Sequence, residues 1–482
     1  MVHQTGKTKV LYPLAASRIA SRIPAHDLKP LWISFSFHVG LFHPHLYVGL
    51  SRRFRTVPFF SLFPNIFGLN GNIYQIFPTL VKIFDLFSFF MYTLYMVISR
   101  CIKSFITSSF VFGPRGTGKT TWLKQTFPDA IYIDLLDSDT FRYYSARPER
   151  ITNIAADNPG KKCIIIDEVQ KIPELLQNVH RMIENDKTLQ FILTGSSSRK
   201  LKRKGVDLLA GRAVEKHFHP FIAHELGSSF NLEKALVFGM VPLIVSAQDQ
   251  KETQKSYINL YLNEEIKEDS LTRNIGNFNR FLEVISFSQG SVLNCSEISR
   301  DSEVKRNTVD SYMSILEDLL IGIRIPVFQK RAKRALINNR KFYFFDCGVF
   351  QSLRPRGPLD DTSSITGIAL ETLIMQHLRA WIDYSGANVK LYFWRSRGGI
   401  EVDFVLYGEN TFHAFEVKNT MNPRGKDSSG LREFVKDYPE VKPVLLYRGN
   451  EIKHRDGIPW IPVDYFLRKL SPGIELEEVI SG

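Results

Sequence analysis

Gly113-Pro114-Arg115-Gly116-Thr117-Gly118-Lys119-Thr120 is the stretch that decides how the chain is read. It fits the pattern G-x-x-x-x-G-K-[ST]. A short apolar run, Ser109–Phe112, precedes it as a strand, and Thr121-Trp122-Leu123-Lys124-Gln125 continues it as a helix. The residue types suit one chemistry. Glycines let backbone N–H groups curl around phosphates. Lys119 reaches the terminal phosphates, the Thr120 hydroxyl ligates Mg2+, and the helix N-terminus favours anions. Every residue from Gly113 to Thr121 is an expected nucleotide contact.

The partner of this loop lies 47 residues after Thr120, in Cys163-Ile164-Ile165-Ile166-Asp167-Glu168. The apolar run predicts a buried parallel strand that delivers two acids at its C-terminal end. Asp167 is expected at Mg2+, and Glu168 as the general base that polarises the attacking water. A third strand, Gln190–Leu193, ends in Thr194-Gly195-Ser196, which puts a hydroxyl of Thr194 or Ser196 between loop and acids. Leu208-Leu209-Ala210-Gly211-Arg212 places Arg212 where it can meet phosphate charge, in its own or a neighbouring subunit. Ala130–Asp134 supplies another strand. Alternation with helical stretches such as Ile172–Glu184 predicts a doubly wound, parallel α/β layer.

Together, FGPRGTGKTTWL, IIIDEVQKIPELLQNVH, FILTGSSSRKL and LAGR resemble a prokaryotic family of AAA-superfamily P-loop ATPases. In that family the ATPase module is followed by a domain of formerly unknown function. The resemblance runs from about residue 96 to the C-terminus. It implies ATP and Mg2+ as cofactors and ATP hydrolysis, and it leaves the substrate open. Such proteins often assemble as rings, so a homo-oligomer is an expected partner state.

The middle of the chain, 227–350, reads as a helical lid and a winged helix-turn-helix. Tyr257–Asp269 and Phe278–Phe287 have helical period. Cys295–Asp301 and Asn307–Leu320 bracket a short turn, with Ser296 and Asn307 as expected caps. Val309, Tyr312, Leu316 and Leu319 share one face of the second helix, and Ile323–Val327 and Phe342–Phe345 supply wing strands. Lys305, Arg306, Lys330, Arg331, Lys333, Arg334, Arg340 and Lys341 would meet DNA phosphates. A protein-docking module with a solvated basic face is the other reading.

The last part, 351–482, resembles the PD-(D/E)XK nuclease-like fold. Alternation along Ile400–Leu406 places Val402, Phe404 and Leu406 on one face and Glu401, Asp403 and Val405 on the other. Glu416 and Lys418, two apart, share a face of the next strand. The hairpin then gathers Asp403, Glu416 and Lys418, with Glu371 from the helix Gly367–Leu378 as the fold's upstream acid. In that chemistry carboxylates hold a metal and the lysine orients water. Three function classes follow. The first is an ATP-driven switch acting on DNA. The second is an ATP-controlled protein-docking module with an inactive nuclease-like domain. The third is an ATP-regulated nuclease.

The 482 residues leave room for several domains at ~100–200 residues each. Hydrophobic content of 44% and charged content of 23% exclude a disordered or collagenous chain. The four cysteines form no CxxC and fit a reducing, cytoplasmic setting. The net charge of +13 is uneven, because residues 1–95 hold nine Lys/Arg and two acids, a local +7 that leaves +6 for the rest. That leader allows three readings. It is a membrane segment at Ile83–Ile98, short for a span and broken by Asp85. It is an overlong start, with the working protein beginning at Met91 or Met96. Or it is an unrecognised domain. A membrane partner is expected only under the first. The expected organisation is leader 1–95, ATPase 96–226, lid and winged helix 227–350, and nuclease-like domain 351–482.

Overall fold

The computed structural model describes residues 98–195, 209–258, 274–329 and 340–481. The leader, Ser196, most of the expected helix Tyr257–Asp269, and Lys330, Arg331, Lys333 and Arg334 lie outside the described residues.

Strands β1 (Ser109–Phe112), β2 (Ile131–Asp134), β3 (Cys163–Asp167), β4 (Gln190–Gly195) and β5 (Val214–His217) form one sheet in the order β2-β3-β4-β1-β5. Every neighbouring pair is parallel. Parallel strands need crossovers and cover on both faces. Helices α1 (Lys119–Thr126), α2 (Ser138–Ala146), α3 (Ile151–Asp157) and α4 (Leu175–Asn185) follow β1, β2 and β3. Strand β3 shows what holds the layer. Ile164, Ile165 and Ile166 are fully buried. Ile164 and Ile166 join the cluster of Leu175, Leu176 and Val179 on α4. Ile165 joins Trp122 and Leu123 of α1, together with Ala380 and Tyr384 from far down the chain. Each such burial contributes about 1.5–3 kcal/mol. Because β4 intervenes between β1 and β3, Thr194 at its C-terminal end stands between the phosphate loop and the acids. This is an α/β P-loop arrangement.

Next come α5 (Ile275–Ser286), β6 (Ser291–Val292), α6 (Cys295–Asp301), α7 (Arg306–Asp318), β7 (Gly322–Pro326) and β8 (Arg340–Phe344). Strand β8 is the centre of an antiparallel sheet, β6-β8-β7. On α7, Val309, Tyr312, Met313 and Leu316 are buried, and Leu319 just beyond it is buried too. The caps differ from the sequence expectation. Asn294 caps α6, accepting the N–H groups of Ser296 and Glu297 at 3.2 and 3.3 Å. Asn307 lies inside α7, which starts behind Lys305 without a side-chain cap. A capping side chain must stand just ahead of the first turn, where Asn294 is, and not within the helix, where Ser296 and Asn307 lie.

The C-terminal part opens with α8 (Thr362–Ser385) and continues through β9 (Val389–Arg395), β10 (Glu401–Gly408), β11 (Phe412–Lys418), α9 (Ser429–Asp437), β12 (Lys442–Tyr447), β13 (Lys453–Arg455) and β14 (Ile458–Pro462). The mixed sheet runs β13-β14-β12-β11-β10-β9. Strands β9, β10 and β11 are antiparallel, and α9 then carries the chain to β12, parallel to β11. The expected alternation along β10 fails at one point. A bulge between Val402 and Val405 puts Val402 into the same cluster as Val405, Leu431 and Phe434, while Phe404 and Leu406 face the other core. One extra residue reverses the face.

A single apolar cluster includes Phe221, Phe281, Phe344, Leu373, Phe404 and Phe466. It crosses the boundaries expected at 226/227 and 350/351, so the successive modules share a core. Among the described residues no helix is long and apolar enough to cross a membrane.

Candidate functional site

The phosphate loop leaves β1 and enters α1 through Gly118, whose φ of 87° is the left-handed conformation that favours glycine. At Gly113 a Cβ would lie 2.4 Å from the Phe218 carbonyl oxygen on the neighbouring chain segment, so only glycine fits. Lys119 is buried at 6% exposure, and its Nζ donates to the carbonyls of Gly113 (2.6 Å) and Pro114 (3.2 Å). Thr117 Oγ1 closes the turn by donating to Pro114 O at 2.7 Å. Arg115 and Thr121 are exposed.

The loop is also held from outside. Arg100 donates to Thr117 O (2.7 Å), His219 O (2.6 Å), Glu225 Oε1 (3.0 Å) and Tyr384 OH (3.2 Å). Its guanidinium stacks over Phe218 and Phe221. The N–H of Leu243 donates to Gly116 O (3.1 Å), and Tyr257 OH donates to Arg115 O (3.0 Å). Three segments distant in sequence thus fix three successive carbonyls of the loop.

At the end of β3, Asp167 is buried at 1% exposure and gathers three hydroxyls. Thr120 Oγ1 donates to Oδ2 at 2.7 Å, Tyr132 OH donates to the same oxygen, and Thr194 Oγ1 donates to Oδ1. Glu168 follows with φ of 59°, a left-handed conformation that costs a non-glycine residue roughly 1–3 kcal/mol. Its N–H donates to Thr194 Oγ1 (3.1 Å), and Gln170 Nε2 donates to its carboxylate. Thr194 therefore orients both acids at once. The Thr120 hydroxyl and Asp167 carboxylate are adjacent hard oxygen donors, and that donor set fits Mg2+. Arg212 sits just ahead of β5 and pairs with Glu184 of α4. Ser196 lies outside the described residues.

The second cluster lies in the C-terminal part and brings Glu371, Asp403, Glu416 and Lys418 together. Asp403 Oδ2 accepts the N–H of Val417 at 2.8 Å, which fixes it between Glu416 and Lys418. Lys418 Nζ donates to Glu416 Oε1 at 2.6 Å. Two further residues complete the cluster, Glu401 and Lys341. Lys341 Nζ lies 3.2 Å from Glu401 Oε2, 3.5 Å from Glu371 Oε1 and 3.7 Å from Asp403 Oδ1. The phenol of Tyr343 donates to Glu371. Burial pushes the Glu371 carboxyl up to about 7 and the Glu416 carboxyl well above the usual range. For Lys341, burial favours the neutral amine, but Glu371, Asp403 and Glu401 outweigh it and hold the ammonium charged.

Lys341 therefore corrects an expectation. It is 2% exposed and turned inward, not toward DNA phosphate. Lys341 and Tyr343 are two apart on β8, so one face presents both to Glu371. A divalent ion needs carboxylate oxygens at ~2.0–2.6 Å. With an ammonium among these oxygens, a divalent metal does not fit this cluster. Among the described residues no three His, Cys, Asp or Glu are grouped to hold a metal ion.

Sequence reasoning missed Arg100, Tyr132, Gln170 and Tyr343, and a role in this cluster for Glu401 and Lys341. Glu401 was legible, two residues from Asp403 on one strand. Arg100 and Tyr132 carried no local signal, because their partners are remote in sequence.

Residues 107–227 match a family model described as an AAA domain. Residues 229–360 and 366–466 match two models described as domains of unknown function, DUF8612 and DUF4143. Uncharacterized protein Rv2008c of Mycobacterium tuberculosis is 24% identical over 317 residues, which cover 63% of this chain and 69% of the relative. Uncharacterized protein MJ1544 of Methanocaldococcus jannaschii is 24% identical over 369 residues, covering 69% and 79%. Among solved structures, the replication initiator DnaA bound to AMPPCP and single-stranded DNA is 13% identical, with a TM-score of 0.23, over 45% of this chain and 83% of that one. AMPPCP-bound DnaA from Aquifex aeolicus is 14% identical, with a TM-score of 0.20, over 44% and 82%. At such scores the likeness carries no inference about this chain. The AAA match and the loop geometry together support an ATP-binding P-loop module of the AAA type.

Proposed function

We propose that this chain is an ATP-hydrolysing switch of the AAA type, whose P-loop module controls a winged-helix and nuclease-like half that acts on or with DNA. The observation that carries the reading is the junction at Asp167, where Thr120 of the loop helix, Tyr132 and Thr194 meet one buried carboxylate. Lys119 leaves the Gly113 and Pro114 carbonyls for the terminal phosphates. Thr120 and Asp167 would hold Mg2+, which when bound offsets phosphate charge. Glu168, fixed by Thr194 and Gln170, orients the attacking water. Arg212 precedes β5 at the end of the sheet opposite the phosphate loop, paired with Glu184, so it meets phosphate charge only in a neighbouring protomer.

The DNA half of the reading rests on element order. The run α5-β6-α6-α7-β7-β8 with an antiparallel sheet fits a winged helix, and exposed Lys305 and Arg306 stand at the start of α7. The run α8-β9-β10-β11-α9-β12, with β11 parallel to β12, fits the nuclease-like fold. DNA affinity of the full chain, measured against salt with and without Mg·ATP, tests it. A nucleotide-dependent affinity that falls with salt, and falls less steeply in Lys305→Ala/Arg306→Ala, is expected. Salt-independent or absent binding in every nucleotide state refutes it. A second reading, ATP-controlled docking of a protein partner with an inactive nuclease-like domain, is favoured by the position of Lys341.

A further inference from the structure

The carboxylates of the C-terminal cluster come from α8, β10 and β11, and Lys418 from β11, but the second cation among them, Lys341, comes from outside that unit, on β8. Strand β8 pairs with β6 on one side and β7 on the other. The ladder fixes the Lys341 backbone beside the cluster, and its ammonium is held there by Glu371, Glu401 and Asp403. Its neighbours on the same strand reinforce the placement, since Tyr343 donates to Glu371, and Phe342 and Phe344 are fully buried. The Lys341 ammonium also lies 5.5 Å from the centre of the Phe393 ring on β9, a cation–π contact. Formal charge agrees with closure by ammonium. Lys341 and Lys418 offset two of the four carboxylates Glu371, Glu401, Asp403 and Glu416, and Arg395 pairs with Glu401 from the rim at 3.3 Å.

We propose that Lys341 is the resident cation of the Glu371–Glu401–Asp403 cluster, so that the C-terminal part keeps this site closed with an ammonium in place of a divalent metal and does not cut DNA. The site is then a joint that fixes the β6-β8-β7 sheet to the C-terminal sheet. This inference stands apart from the ATPase reading, because it concerns residues that do not touch the phosphate loop.

Mn2+ serves as the probe, added to EDTA-stripped, nucleotide-free full-length chain and followed by calorimetry. The Asp167→Asn background removes the share of the phosphate loop. In that background no saturable Mn2+ site is expected, and adding Lys341→Met is expected to create one that Asp403→Asn removes. Saturable binding in the Asp167→Asn chain that Asp403→Asn abolishes would overturn the proposal. So would Mn2+-dependent DNA cleavage lost in Asp403→Asn, or a folded Lys341→Met chain that gains no site. If Lys341→Met does not fold, Lys341→Gln, which removes the charge but keeps a polar group among the oxygens, replaces it in the gain arm. The Asp167→Asn titration decides the loss arm alone.

Discussion

Replacing Arg100 by methionine is the most informative single perturbation of the phosphate loop. The Arg100 side chain is 4% exposed and Glu225 is completely buried. After truncation, Glu225 would still accept the N–H groups of Cys101 (2.7 Å) and Ile222 (3.1 Å), but its charge would be left without a countercharge. Breaking a buried pair from one side costs about 3–5 kcal/mol. The carbonyls of Thr117 and His219 would lose a donor as well, at about 1 kcal/mol each or more. Against a total stability of ~5–15 kcal/mol, the loss is large. Urea unfolding should show a lower midpoint and a loss of unfolding free energy of that size. Nucleotide affinity should fall about tenfold, since order in the loop worth ~1.4 kcal/mol must be restored on binding. Glu225→Gln added to Arg100→Met should recover part of the stability, because the stranded charge is gone. Arg100→Lys should keep the pairing with Glu225 and still weaken the loop, since an ammonium cannot span Thr117, His219 and Glu225 as a fork does. A midpoint and an ATP affinity unchanged in Arg100→Met would refute the idea that this residue fixes the loop.

Other expectations follow from the same geometry. Thr194→Val keeps the shape but strips the hydroxyl from Asp167 and the Glu168 N–H, so stability should drop by ~1–3 kcal/mol. In steady-state kinetics kcat should fall while nucleotide affinity holds; an unchanged kcat would remove Thr194 from the mechanism. Glu371, with its carboxyl raised to about 7 from 4.5, stabilises the fold fully below pH 4.5 and loses that contribution as pH rises through 7. Urea melts across that range should therefore be flatter for Glu371→Gln than for the natural chain; parallel profiles would contradict the assignment. Lys341→Met should destabilise by a few kcal/mol, and Glu371→Gln should offset part of it, a coupling read by a double-mutant cycle. Additive effects would mean that the two do not pair.

The P-loop α/β layer was legible because its signals are local. A loop pattern, an isoleucine run ending in acids, and strand–helix alternation each report on their own neighbourhood. Thr120 and Asp167 meet where their motifs place them. The same holds for the hairpin that gathers Asp403, Glu416 and Lys418. What stayed hidden depends on packing across long separations. Arg100 reaches Tyr384, 284 residues away, and Tyr132 finds Asp167 only after two strands pair. Lys341 misled because a charge within a basic run reads as solvated, whereas the pleat of β8 turned it inward. The bulge in β10 was invisible because alternation alone does not reveal an extra residue. Asn294 was passed over as a cap because Ser296, two residues later, is an equally good capping type.

Mg·ATP turnover by the full chain beside Lys119→Ala and Glu168→Gln tests the central claim most directly. The account predicts turnover in the natural chain. Lys119→Ala should lose nucleotide binding and turnover together. Glu168→Gln should still bind ATP but turn it over ~10²–10⁴-fold more slowly. Equal turnover in all three chains would contradict it.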